Sequence, residues 1–303
     1  MKFKQFSIED KQQIQEYYSK YGRIHCDSSF VANYCSLDRY KFEWCIEDGF
    51  LLQRFISDNN DLQYFEPMGD GDVTSIIRLL EEDAVNNGTR LTICGVTPSF
   101  VSEMNKKYPG KWYFHSDRRY ADYIYDIGKL KYLKGRRYIK IRYKINHFAA
   151  LYEFHYENLT PSIFKDCIDL ENKWITKKKE SISSYQLEKD IQDELVFIKR
   201  AFDNFKELQI TGGALFVGDS LVAFAMGAPI NESVFNLDIT KGDTDYVGVY
   251  AMLIHQFVKH LGESFKYLDY EWDCGIDGLR NAKMNYHPEF LSEEIIGTMI
   301  SNR

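Results

Sequence analysis

Residues 241–262 read KGDTDYVGVYAMLIHQFVKHLG. Tyr250, Leu253, Ile254, Phe257, Val258 and Leu261 recur at helical spacing and form a wide apolar stripe. Gly248 stands just before that stripe and Gly262 just after it, so the stretch reads as a glycine loop, a helix and a glycine stop. Upstream, residues 215–217 and 221–226 flank Gly218-Asp219, a hairpin signal, and residues 234–239 make a third apolar run. Downstream, residues 265–268 read as a strand.

The first half repeats this order. Short β-like runs at 42–46 and 50–55 are split by Asp48-Gly49, and 63–65 is a third run. Residues 67–88, PMGDGDVTSIIRLLEEDAVNNG, then place Asp72 as an N-cap before the stripe Val73, Ile76, Ile77, Leu80 and Ala84, with Gly88 as the stop. Residues 91–96 read as a buried strand. Residues 161–176 and 185–205 read as helices that open the second half. Two hairpin, strand, glycine loop, helix, strand units suggest a structural duplication without repeated identities. This is not the order of a doubly wound nucleotide fold. It is the order of a GNAT-type (acyl-CoA N-acyltransferase) core. The expected fold is α/β (α+β), two tandem GNAT-like domains at 1–150 and 151–303, with mixed sheets flanked by helices. Residues 91–96 and 265–268 are expected to occupy equivalent central positions.

A chain of 303 residues is long enough for two domains. The N-terminus has no apolar core of a signal peptide, and no window is apolar enough to span a bilayer. Cys26, Cys35, Cys45, Cys94, Cys167 and Cys274 are scattered with no CxxC pair, which favours reduced thiols and a cytoplasmic protein over a disulfide frame or zinc site. The net charge of −7 argues against a general nucleic-acid coat. Yet residues 129–144 hold eight Lys and Arg and no acid. Such a strip on an acidic body fits one anionic partner at one place, with a solvated strand pair as the other reading.

Three segments bear on chemistry. Residues 245–250, DYVGVY, put Gly248 where a helix N-terminus would meet a phosphate, which makes it a weak cofactor-binding candidate. Coenzyme A enzymes carry a basic or Gln residue first and a small residue last, where this chain has Asp245 and Tyr250. Gly69-Asp70-Gly71-Asp72 is too acidic for an anion and too short for a calcium loop, and reads as a turn with an N-cap. The densest polar stretch is 269–288. Strand alternation predicts Asp269, Glu271 and Asp273 on one side, with Arg280 and Lys283 facing them from a short helix. Acids and bases so gathered mark either a site or a self-satisfied salt-bridge cluster. The histidines lack metal-ligand spacing, so no metal is assigned, and no GxSxG elbow occurs.

Residues 116–148, SDRRYADYIYDIGKLKYLKGRRYIKIRYKINHF, and 278–288, GLRNAKMNYHP, carry a resemblance. Asp117, Asp122-Tyr123, Leu130, Leu133, Gly135-Arg136-Arg137, Arg142 and Asn146, followed by Gly278-Leu279-Arg280, Lys283, Tyr286 and Pro288, resemble the C-terminal domain of phosphatidylglycerol lysyltransferases and its stand-alone relatives. The chain is similar, more distantly, to Fem-type aminoacyltransferases. The resemblance implies a tandem GNAT fold and transfer of an aminoacyl group from aminoacyl-tRNA to an amine or hydroxyl on a small-molecule or peptide acceptor. For acyl transfer from an activated ester, Glu271, Asp273, Arg280 and Lys283 are the candidate catalytic positions. Asp117, Tyr123, Arg136, Arg137, Lys140, Arg142, Asn146 and Tyr286 would bind substrate, with the basic strip holding phosphate of tRNA. An acyl-CoA-dependent N-acyltransferase and a non-catalytic protein that binds an anionic ligand are the alternatives on the same fold.

Overall fold

The computed structural model describes residues 1–179 and 185–300. Its first elements are β1 (Lys4–Gln5), α1 (Lys11–Tyr21), α2 (Phe30–Cys35), α3 (Leu37–Tyr40), β2 (Glu43–Glu47), β3 (Phe50–Ile56), β4 (Leu62–Phe65), α4 (Val73–Asn86), β5 (Thr92–Cys94), α5 (Pro98–Lys107) and β6 (Trp112–Ser116). There follow β7 (Asp122–Asp126), α6 (Ile127–Tyr132), α7 (Ile139–Leu151), β8 (Phe154–Asn158), α8 (Phe164–Lys179), α9 (Tyr185–Asp203), β9 (Thr211–Val217) and β10 (Ser220–Pro229). The chain closes with β11 (Val234–Gly242), α10 (Val249–His260), β12 (Tyr267–Asp269), α11 (Asp277–Met284), β13 (Phe290–Ser292) and β14 (Ile295–Met299).

Two compact units result. The first holds residues 1–122, 272–275 and 292–303, and the second holds 123–271 and 276–291. Each is built on a seven-stranded sheet, ordered β1-β2-β3-β4-β5-β14-β6 and β8-β9-β10-β11-β12-β7-β13. In each sheet the fourth and fifth strands run parallel, β4 with β5 and β11 with β12. The sixth strand is antiparallel to the fifth, β14 beside β5 and β7 beside β12. The expected equivalence of 91–96 and 265–268 is therefore met, since β5 and β12 take the same place. The chain does not divide at 150. β7 follows β6 in sequence but joins the second sheet, and β14 follows β13 but joins the first, so each sheet takes its sixth strand from the other half. Hydrophobic alternation shows that a strand exists but not which sheet it will complete.

The helices form where the stripes put them. Val73, Ile76, Ile77, Leu80 and Ala84 of α4 are buried, and the Asp72 side chain accepts from Thr74 N to cap the helix. In α10, Val249, Ala251 to Ile254, Phe257 and Val258 are buried. Each large apolar side chain so buried contributes roughly 1.5–3 kcal/mol. The basic strip is helical, not a strand pair. Tyr138, Ile141, Ile145 and Phe148 are buried at helical spacing, and their burial decides the period. Among the described residues no helix is long and apolar enough to cross a membrane. All six cysteines are thiols, and of the six Cys274 alone is exposed.

Candidate active site

The second sheet opens beside β11. β11 and β12 pair only at Val234↔Tyr267, Phe235↔Leu268 and Asn236↔Asp269. β11 then continues to Gly242 along β10, while β12 stops at Asp269. Beyond Asn236 the β12 side of β11 has no strand neighbour among the described residues. Gly227 lies at a bulge of β10 beside this point, and a Cβ there would lie 1.9 Å from the Asn236 carbonyl oxygen.

Polar side chains occupy the opening. Asn236, fully buried, donates from Nδ2 to Asp238 Oδ1 (2.8 Å) and to Glu271 Oε1 (3.0 Å). Asp269, also fully buried, accepts from the Glu271 main-chain N–H (2.8 Å). Thr240 and Tyr270 share a hydroxyl contact of 2.8 Å. Two acceptor atoms here, Asp238 Oδ2 and Asn236 Oδ1, are buried and receive no hydrogen bond from any described residue. Burial, and after it the Glu271 carboxylate, holds the Asp238 carboxyl well above the ordinary carboxylate range. The arrangement therefore offers a strengthened base beside an acceptor-rich surface suited to an ammonium or N–H group.

The four expected catalytic residues do not form one face. β12 ends before Glu271, which takes a left-handed backbone (φ 52°), so strand alternation does not carry Glu271 and Asp273 to the same side. Glu271 lies in the second unit at the opening. Asp273 lies in the first, where its buried carboxylate meets Arg118 (3.1 Å) and the Gly275 N–H (2.8 Å). Lys283 is buried on α11, and its ammonium donates to the carbonyl oxygens of Tyr270 (2.5 Å) and Glu271 (3.2 Å), with the Tyr270 ring 4.8 Å away. Lys283 thus clamps the turn that carries Glu271. Arg280 is half-buried one turn earlier on α11.

The expected substrate positions scatter further. Asp117 lies in the first unit, where Arg119 holds its carboxyl below the usual range. Tyr123 is buried in β7, and its ring lies 5.7 Å from the Lys283 ammonium. Tyr286 packs edge-on against Tyr125 at 6.4 Å. Of the strip, Arg142 donates to the carbonyl oxygens of Leu133 and Gly135, which makes it a brace for the turn before α7. Lys129 pairs with Glu289 and Lys131 with Glu263. Lys134, Arg136, Arg137, Lys140, Lys144 and Asn146 are exposed. Gly248 does start α10, at φ 89°. A Cβ on it would lie 2.7 Å from the Lys144 carbonyl oxygen, so its missing side chain admits α7. The preceding loop is closed by Asp243 with Lys173 and Lys177, and by Asp245 with Lys177.

The first unit carries a different cluster past its own parallel pair. His25 is fully buried. Its Nδ1 lies 3.3 Å from the Asp27 carboxylate and 3.4 Å from Asp122, and its Nε2 lies 3.2 Å from the Tyr120 carbonyl oxygen and 3.5 Å from Glu294. Burial disfavours charge on His25, but Asp122, Asp27 and Glu294 outweigh it and push its pKa up to about 10. Burial raises Glu294 to about 8. Among the described residues, His25 with Cys26 and Asp122, or with Asp27 and Glu294, are the groups whose spacing could hold a metal ion.

The model of the family described as "Phosphatidylglycerol lysyltransferase, C-terminal" matches residues 18–295. The chain belongs to this family. It is similar to a conserved protein of unknown function from Bacteroides thetaiotaomicron, at 32% identity and TM-score 0.92, over 98% of this chain and 99% of that one. The C-terminal domain of a putative lysylphosphatidylglycerol synthetase from Agrobacterium fabrum shares the fold at 14% identity and TM-score 0.66, covering 97% and 93%. So does a tandem GNAT protein from the clavulanic acid biosynthesis pathway, at 10% identity and TM-score 0.51, covering 100% and 99%. No curated protein matches the chain. Membership of the lysyltransferase C-terminal family and the tandem GNAT-like fold point to acyltransferase-like chemistry.

Within this family member, Asn236 and Asp238 are the polar residues that sequence reading passed over. The signal was present. FNLDI puts two polar residues two apart on an otherwise apolar strand, which aims both to one side of the sheet. Lys241 was passed over as well. It is buried against Glu171 (3.3 Å), Glu194 and the Trp174 ring (3.8 Å).

Proposed function

We propose that this chain is an aminoacyltransferase whose chemistry lies in the second unit, at the opening between β11 and β12. The observation that carries the reading is Asp238, a carboxylate with a buried, unengaged oxygen and a raised pKa at the place where the two strands part. The donor is already activated as an ester. The acceptor nitrogen or oxygen attacks the ester carbonyl, the new C–N or C–O bond forms, and the donor's C–O bond breaks. Asp238 takes the acceptor proton and returns it to the departing 3′-oxygen. Asn236 and Glu271 orient Asp238 and receive the amino group of the donor. Lys283 is a positioning residue that fixes Glu271 through the turn, and Arg280 remains the candidate for a phosphate or oxyanion contact.

Support for aminoacyl-tRNA over acyl-CoA as donor comes from α10. Its glycine serves helix packing, and Asp243 and Asp245 line the loop where a pyrophosphate would sit. The test offers the purified chain charged tRNA or acyl-CoA with amine and hydroxyl acceptors, and follows the labelled acyl group. Transfer from charged tRNA supports the reading. Transfer from acyl-CoA alone replaces the donor, and turnover with neither points to a ligand-binding protein.

A further inference from the structure

Helix α7 is apolar on two faces, and the protein uses one of them. Ile141, Ile145 and Phe148 are buried in the core of the second unit. On the other face Ile139 is 51% exposed, Tyr143 66% and Leu151 53%. His147 stacks on Tyr143 with ring centroids 5.6 Å apart. Positions 139, 143, 147 and 151 recur every four residues, so these side chains form one stripe about 18 Å long. Lys140 and Lys144 border it on α7 itself, and Lys134, Arg136 and Arg137 stand on the turn before it, all exposed. Among the described residues, none of these five bases forms a salt bridge with a carboxylate, unlike Lys129 and Lys131 on α6.

An exposed apolar stripe edged by bases is the pattern of a helix that lies in a membrane interface. We propose that the α7 face docks the protein on an anionic lipid bilayer. Ile139, Tyr143 and Leu151 enter the boundary between headgroups and acyl chains, and Lys134, Arg136, Arg137, Lys140 and Lys144 meet lipid phosphates. Charge complementarity is local. The chain as a whole carries −7, so this face is attracted to an anionic surface while the remainder is repelled, which fixes the docked orientation. A nucleic acid would engage the bases and stack on Tyr143, but it has no use for exposed Ile139 and Leu151. This inference is independent of the acyl-transfer reading.

Co-sedimentation of the full chain with vesicles of phosphatidylcholine, with and without phosphatidylglycerol, tests it. The wild type is expected to bind the anionic vesicles, to stay in solution with neutral ones, and to release at high salt. Replacing Lys134, Lys140 and Lys144 by Ala should weaken binding roughly fivefold per base. Replacing Ile139, Tyr143 and Leu151 by Ser, with every base kept, should weaken it also. Tyr143→Ser alone repeats that arm if the triple variant melts early. No binding to anionic vesicles at low salt overturns the proposal, as does an apolar variant that binds like the wild type. Transfer RNA that is bound at this face, and lost only in the charge variant, assigns the face to nucleic acid and also overturns it.

Discussion

The two units meet the same geometric problem and solve it differently. In each sheet a parallel pair ends in the middle of the sheet, β4 with β5 at Phe65 and Cys94, and β11 with β12 at Asn236 and Asp269. In the first unit the space past β4 and β5 is filled. Glu66 accepts hydrogen bonds from the main-chain N–H and the hydroxyl of Thr97, and the Arg23 guanidinium occupies the spot where a Cβ on Gly95 would be, 2.1 Å from its Nη2. Arg23 and His25 stand among Asp27, Asp122 and Glu294, so the buried acids have cations at ion-pair distance, although Glu294 Oε2 receives no hydrogen bond from any described residue. In the second unit the space past β11 and β12 keeps Asp238 and Asn236 with acceptor atoms that no described residue serves. The fold supplies the opening twice. Cationic side chains fill one, and the uncharged Asn236 faces the acids of the other.

Mutations should separate a structural cluster from a chemical one. The largest expected effect on stability is in the first unit. His25→Ala leaves buried carboxylates without their cation and should cost about 3–5 kcal/mol, read by urea unfolding. Because His25 binds its proton more tightly when folded, its contribution is full below the unfolded pKa of about 6.5 and is lost as pH rises through about 10. Glu294, raised to about 8, acts in the same sense from about pH 4.5 to 8. Wild-type stability should therefore fall on the alkaline side, and the variant should show a flatter decline. If His25→Ala unfolds with the wild-type midpoint, the cluster is not what closes the first unit.

Lys283→Met comes next. Its ammonium is buried on two carbonyl oxygens, so its loss should cost about 2–3 kcal/mol and release Glu271 from its left-handed turn. An unchanged melting temperature would restore a direct catalytic role for Lys283. Gly248→Ala meets the Lys144 carbonyl and should cost about 2 kcal/mol without changing KM for the donor. A raised donor KM with full stability would instead make the glycine loop a phosphate site. Glu66→Ala removes two bonds to Thr97 and should cost about 1 kcal/mol, whereas Asp238→Asn should leave stability unchanged or raise it, since it relieves a buried carboxylate.

Much of the fold was legible because burial writes a period into the sequence. The stripes of α4 and α10 and the runs that became β3, β10 and β11 are apolar in the pattern their elements require. Residues 129–144 were harder. Lysines at 129, 131 and 134 suggest a solvated surface of either kind, and only the spacing of Tyr138, Ile141, Ile145 and Phe148 identifies the helix. β7 and β14 are five residues each, too short to announce that they complete each other's sheets. The candidate site was legible in its neighbourhood and not in its members. Glu271 was named, but a left-handed non-glycine residue at 271 has no sequence signature, so the alternation that was to bring Asp273 beside it does not occur. Asp238 was within reach through its partner Asn236, two residues before it on an apolar strand.

The central claim is that Asp238 is the base for transfer in the second unit. The most direct measurement is the single-turnover rate at which labelled aminoacyl ester is consumed from charged tRNA, in the presence of acceptor, by the wild type, Asp238→Asn and Glu66→Gln. Asp238→Asn should slow it by about 10²–10⁴-fold with the melting temperature kept, and Glu66→Gln should leave the rate of the folded protein unchanged. An Asp238→Asn protein that consumes the ester as fast as the wild type would contradict the account.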